Sequence, residues 1–251
     1  METEDFVRVL RQEGLTLIDA ARRADVDADV PTCSEWDVRE LVRHIGAVHE
    51  WATRQLVNRM TTELEGDLVD IVGGWPADAE LFDWAATRHA DLVDALEGSD
   101  PDFPYWTWRP APSPITSWAR RQAHETAIHR ADADAAAGRV TVFDASVASD
   151  GVDELILDVV GNRGGPLALD SVHSIAFVAT DTDERWFAAM GPDGYETRRG
   201  NDMADCSVAA NASDLYRLVW HRADLADSGV SLDGDPAVRQ LWWELVAVRW
   251  T

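Results

Sequence analysis

Lysine is missing from this chain: its 22 basic side chains are all arginine, and they face 46 acidic ones, for a formal charge of −24. A surface this acidic repels phosphate backbones and anionic headgroups, which argues against nucleic acid and membrane surfaces as partners. The all-arginine usage points to genome composition or a saline habitat rather than to an activity. Cysteine is nearly absent, with only Cys33 and Cys206, far apart in sequence. That pattern gives no disulfide framework and is expected of a reducing compartment. No stretch approaches the ~20 apolar residues of a membrane span. The opening METEDFVRVLRQEG is charged and amphipathic, without the apolar core of a secretory signal. The expected location is the cytoplasm.

What is present is enough apolar content, 46% of 251 residues, to bury one large core or two ordinary ones. No internal repeat or low-complexity tract is visible. Helical periodicity dominates the first half. Phe6, Val9, Leu10, Leu17 and Ile18 predict a helix over about 3–22. Ser34, three residues before Asp37, reads as a capping box ahead of Val38, Leu41, Val42, Ile45 and Val48, predicting a second helix that runs to about 63. A third is expected from Pro76, burying Leu81, Trp84, Ala85, Leu92 and Leu96. The five prolines of SDPDFPYWTWRPAPSP exclude a regular helix, and the Trp-rich stretch 103–110 forms a lid or a covered loop. A fourth helix starts at the Ser113 cap with Pro114 and stops at Gly138.

Beyond residue 140 the texture changes. A short helix near 152–160 precedes β-rich runs at VHSIAFVAT, RWFAAM, YETRR and CSVAA, and two helices follow, one capped by Ser213 and one after Asp235-Pro236. The predicted fold is two domains, an all-α four-helix bundle over 1–140 and an α+β domain over 150–251.

In the fourth helix, Glu125 and His129 stand four residues apart and leave the same face. A projection at ~100° per residue groups them with Ile115, Trp118, Gln122 and Ala136 on the core side and turns His124 outward with the arginines. A buried carboxylate and imidazole need partners. His44, at the edge of the second helix's apolar stripe, is a candidate across the bundle. Two nitrogens and one oxygen suit zinc or another divalent ion, with a fourth position left open, and Asp132 is placed to fix the His129 tautomer. The same spacing also occurs as a plain surface pair. His49, His89, His124, His173 and His221 read as surface or packing residues.

The segments VPTCSEWDVRELVRHIGAVHEWA, RRQAHETAIHRADADAAAG and SDGVDELI resemble the mycothiol-dependent maleylpyruvate isomerase family, in its order and at its intervals. The resemblance implies a DinB/YfiT-like bundle whose metal ligands are His44, Glu125 and His129, with zinc as the ion. It implies a C-terminal α+β domain similar to sterol carrier proteins that supplies a functional arginine, for which Arg217 and Arg222 are the candidates. It also puts Cys33 in the helix-entry motif, as a reactive thiol or as a half-buried small residue.

The activity implied is mycothiol-dependent. An ion that stabilises the thiolate would let it add to a cis-enedioate such as maleylpyruvate, allow rotation and leave again, with arginine on the carboxylates. A transferase version keeps the thiol on an electrophilic substrate instead. The rival from another class is a non-catalytic metal- and ligand-binding protein, with Trp106, Trp108, Trp242 and Trp243 lining an apolar pocket or simply packed.

Overall fold

The computed structural model describes residues 1–109, 111–225 and 229–247. Pro110 of the proline-rich loop and residues 248–251 of the expected second domain lie outside them. The chain divides into two compact units, Met1–Thr141 and Val142–Thr251.

In the first unit four long helices form the bundle, α1 (Thr3–Arg23), α2 (Val38–Val57), α4 (Leu81–Gly98) and α5 (Pro114–Ala136), with the short α3 (Leu68–Val72) in the α2–α4 connection. Helix α1 lies chiefly along α5, and α2 along α4. The apolar stripes read from the sequence are the ones that pack. Phe6, Leu10, Leu56, Leu92, Leu96 and Trp118 share one core cluster, and Leu17, Val38, Leu41, Ile45, Leu81 and Ala85 share another. Along α5, Ala123 belongs to the first cluster and Ala133 to the second, with Glu125 and His129 between them.

Several boundaries differ from the expectation. The cap of α2 is Asp37, whose carboxylate accepts from Glu40 N–H at 2.8 Å while Glu40 Oε2 accepts from Asp37 N–H at 3.2 Å. A complete capping box at 37/40 displaces the shorter-reaching Ser34. Helix α2 stops at Val57 rather than near 63, because Gln55 satisfies the following turn through Thr62 O (2.7 Å) and Leu64 N–H (2.9 Å). Helix α4 starts at Leu81 rather than Pro76, after turns through Asp78–Glu80. Helix α5 begins after Ser113 and gives way to Gly138 at φ +69°, a conformation glycine adopts without cost.

The second unit has a five-stranded sheet in the order β3-β2-β1-β4-β5, from β1 (His173–Ala179), β2 (Arg185–Gly191), β3 (Gly194–Arg199), β4 (Cys206–Ala210) and β5 (Ser231–Gly234). Among the described strands β1 and β4 pair in parallel, and the other neighbours are antiparallel. Ile175, Phe177 and Ala179 alternate onto the buried face of β1, as period-2 patterning requires. Helix α6 (Ala145–Asp153) continues as a π-helical turn, Glu154–Val160, so the helix expected near 152–160 begins seven residues earlier, at the Asp144 cap. Helix α7 (Ala212–Val219) is capped by Asn211, which accepts from Asp214 N–H at 2.9 Å, and not by Ser213. The Ser213 hydroxyl instead accepts from Phe143 N–H at 2.9 Å. Helix α8 (Pro236–Leu245) starts after Asp235 and packs Trp242 against Phe177 with ring centroids 5.1 Å apart. Among the described residues no helix is long and apolar enough to cross a membrane.

Candidate metal centre

Helix α5 is buried on nearly every side from Gln122 to Asp134. Any charged side chain on this stretch must therefore find a partner inside the protein. Glu125 and His129 sit one turn apart and His44 reaches them from α2. Glu125 Oε1 lies 3.3 Å from His44 Nε2 and 3.3 Å from His129 Nε2. One donor atom from each of the three falls within 4.8 Å of the others, and among the described residues no further group of three His, Cys, Asp or Glu does this. A tetrahedron with ~2.1 Å bonds has edges of about 3.4 Å, close to the two separations from Glu125, while the set of three spreads up to 4.8 Å. His129 is fully buried and Glu125 nearly so, while the His44 side chain keeps 14% exposure.

The surrounding residues orient these donors. His129 Nδ1 donates to Asp132 Oδ2 at 2.8 Å, leaving Nε2 on the side of Glu125. Asp132 also accepts from the Thr32 hydroxyl at 2.5 Å and from the Cys33 thiol at 3.7 Å. The second Glu125 oxygen accepts from Arg121 at 2.6 Å. Trp36 covers both imidazoles, its ring centroid 4.8 Å from that of His44 and 5.7 Å from that of His129, nearly parallel to the latter.

Burial opposes the charge on Glu125, but Arg121 and the two histidines outweigh it and hold the carboxyl well below its usual range. Burial likewise pulls His129 down, yet Asp132 and Glu125 leave it raised. His44 is lowered, burial prevailing over its contact with Glu125. The site is thus a buried cluster with two imidazole nitrogens and one carboxylate oxygen converging, a donor set that suits a divalent ion.

Two expectations about this helix fail. His124 does not point outward. It is fully buried with its ring edge-on to Phe6 at 6.2 Å, since α5 has almost no solvent face here. Arg121, grouped by projection with the outward arginines, turns in to Glu125; its i, i+4 spacing was the available signal. Thr32 and Trp36 belong to the α1–α2 loop, and no periodicity in the sequence points to them. His49 and His89 are buried packing residues, their rings 5.4 Å apart.

In the second unit Arg217 lies on α7, buried, 2.6 Å from Asp214, and Arg222 follows the helix, buried, donating to the Trp220 carbonyl at 2.8 Å. The tryptophans named for an apolar pocket have separate neighbours within each unit. Trp106 packs on Trp51 and Trp118, Trp242 is fully buried on Phe177, Trp243 stacks on His221, and Trp108 is 55% exposed.

Comparison with known proteins bears on the family and the fold. The family model described as mycothiol maleylpyruvate isomerase N-terminal domain matches residues 7–134, and the MDMPI C-terminal domain matches residues 146–241. The crystal structure of the mycothiol-dependent maleylpyruvate isomerase superposes with a TM-score of 0.65 at 12% identity, covering 93% of each chain. A single-histidine variant of that enzyme gives 0.66 at 13%, with the same coverage. At such identities the likeness is one of fold. No curated protein matches the chain. With family models spanning both units, the chain belongs to the mycothiol-dependent maleylpyruvate isomerase family.

Proposed function

We propose that this protein is a mycothiol-dependent isomerase of cis-enedioates such as maleylpyruvate, working with a divalent ion, zinc, held by His44, Glu125 and His129. The observation that supports this most is the convergence of those three donors inside the bundle of a chain from this family. A zinc ion with a fourth position open keeps a thiol deprotonated near neutral pH, and mycothiol supplies the thiol for reversible addition to the substrate's double bond.

The remaining work falls to the chain's own residues. Glu125 offsets one charge of the ion, and Arg121 occupies its other oxygen, which selects the oxygen turned toward the histidines. Asp132 fixes the His129 tautomer so that Nε2 carries the lone pair. Burial of His129 and Glu125 excludes water from that side, so approach is from the exposed edge of His44. A guanidinium fork suits substrate carboxylates, and Arg217 and Arg222 stay the candidates for that task. Dependence on a free thiol fits a reducing compartment, and the cytoplasm is the location this reading implies.

The test is turnover of maleylpyruvate followed by separation of the geometric isomers. Native protein is expected to form the trans product only when mycothiol is added, and Glu125→Gln to lose at least about a hundredfold of that rate. A stable thiol conjugate in place of the trans isomer would overturn the isomerase reading and make the protein a transferase.

A further inference from the structure

The loop between α1 and α2 contributes more to the centre than its lack of regular structure implies. It is closed on itself by backbone hydrogen bonds, Cys33 N–H to Val30 O at 3.0 Å, Trp36 N–H to Cys33 O at 2.8 Å and Val30 N–H to Trp36 O at 3.0 Å. An antiparallel bridge joins Asp29 and Asp37 at its base, and Val30 is buried in the core cluster that includes Val38 and Leu41. This turn is therefore fixed before any ion arrives. It delivers the Thr32 hydroxyl 2.5 Å from Asp132 Oδ1, on a carboxylate that is itself fully buried.

A carboxylate has two equivalent oxygens and a soft terminal torsion. In Asp132 both oxygens are committed, Oδ1 to Thr32 and Oδ2 to His129 Nδ1, with the Cys33 thiol as a weaker third donor on Oδ2. Removing the Thr32 donor takes away the 2.5 Å hydrogen bond on Oδ1 of this buried carboxylate, so its orientation toward the imidazole is held less firmly. The consequence is felt one bond further on, at the nitrogen that faces Glu125.

We propose that Thr32 is a positioning residue of the metal centre, holding Asp132 so that the imidazole of His129 keeps its Nε2 directed at the ion. The proposal rests on the metal-site reading above, and it extends the centre from three ligands on two helices to a chain running from a loop hydroxyl through a carboxylate to a ligand.

The test is the zinc dissociation constant of the full chain by competition with a chromophoric chelator, for native protein, Thr32→Val and Thr32→Ser, each also in an Asp132→Asn background. Thr32→Val keeps the volume and removes the hydroxyl; it is expected to bind about tenfold more weakly, within the range found when a ligand's hydrogen-bond partner is lost. Thr32→Ser is expected to return to within about threefold of native. In the Asp132→Asn background Thr32→Val should add nothing, because the two act on one path. Circular dichroism of the zinc-free variants shows whether each is folded, and the serine rescue and the cycle are readouts that general loosening of the loop does not reproduce. Native zinc binding with an unchanged constant in Thr32→Val overturns the positioning role alone, as does an equal loss in both backgrounds. Absence of zinc binding in the native protein overturns the metal-site reading and this proposal with it.

Discussion

At the residue scale, the chemistry of this protein is decided by which polar groups lie inside and what faces them. His44, Glu125 and His129 were legible because four-residue spacing on a core-facing helix is a strong constraint, and because a buried carboxylate and imidazole call for partners. Arg121 was legible in principle by the same spacing from Glu125 and was masked by the assumption that an arginine points to water. His221 carries a different signal. Burial, together with Arg222 and Arg239 beside it, lowers its imidazole to about 4 from an ordinary 6.5. A lowered pKa means that the folded protein binds the proton less tightly than the unfolded chain, so the stability it contributes is complete above pH 6.5 and is lost as pH falls through 6.5 toward 4. Solvent screens this half-buried ring, which reduces the effect to about 1 kcal/mol by pH 4.5. His221 also has φ +62°, a conformation asparagine tolerates. Urea unfolding at pH 7 and pH 4.5 should therefore show His221→Asn losing about 1 kcal/mol less than native protein on acidification. Parallel losses would refute the assignment.

At the element scale, helix existence and type followed from apolar periodicity, while the ends followed from hydrogen bonds that periodicity does not see. The stripes of α1, α2, α4 and α5 pack as their spacing requires. The cap of α2 moved from Ser34 to Asp37 because Asp37 and Glu40 reciprocate at 2.8 and 3.2 Å. Asp37→Ala should then lower the midpoint of thermal unfolding, costing about 1 kcal/mol, and Ser34→Ala should change it by less than about 0.5 kcal/mol. A larger loss in Ser34→Ala than in Asp37→Ala would return the cap to Ser34. Helix α5 explains the error over His124. A projection assumes one wet face, and this alanine-rich helix has almost none between Gln122 and Asp134. Strand β5, four residues long and exposed throughout, has no buried face and so left no alternating pattern to find.

At the scale of the whole molecule, the change from helical to alternating periodicity near residue 140 announced two architectures, and the described chain has a helical unit followed by an α+β unit. The three donors reached from sequence are brought together, but the loop that orients them is not helical, repeats nothing and was invisible to pattern. Contacts made across about a hundred residues, such as Thr32 to Asp132, are set by the closed fold and not by any local signal. The family and its fold follow from the whole chain, whereas the chemistry proposed for it depends on whether those buried donors hold an ion. The measurement that decides this is metal content per chain, in native protein and in His129→Ala, purified without chelator and without a metal-binding tag. About one zinc per native chain, lost in the variant while its helical circular dichroism is retained, is the expected result. No metal in the native protein, even after zinc is supplied, would contradict the account and leave the three side chains as a buried hydrogen-bonded cluster.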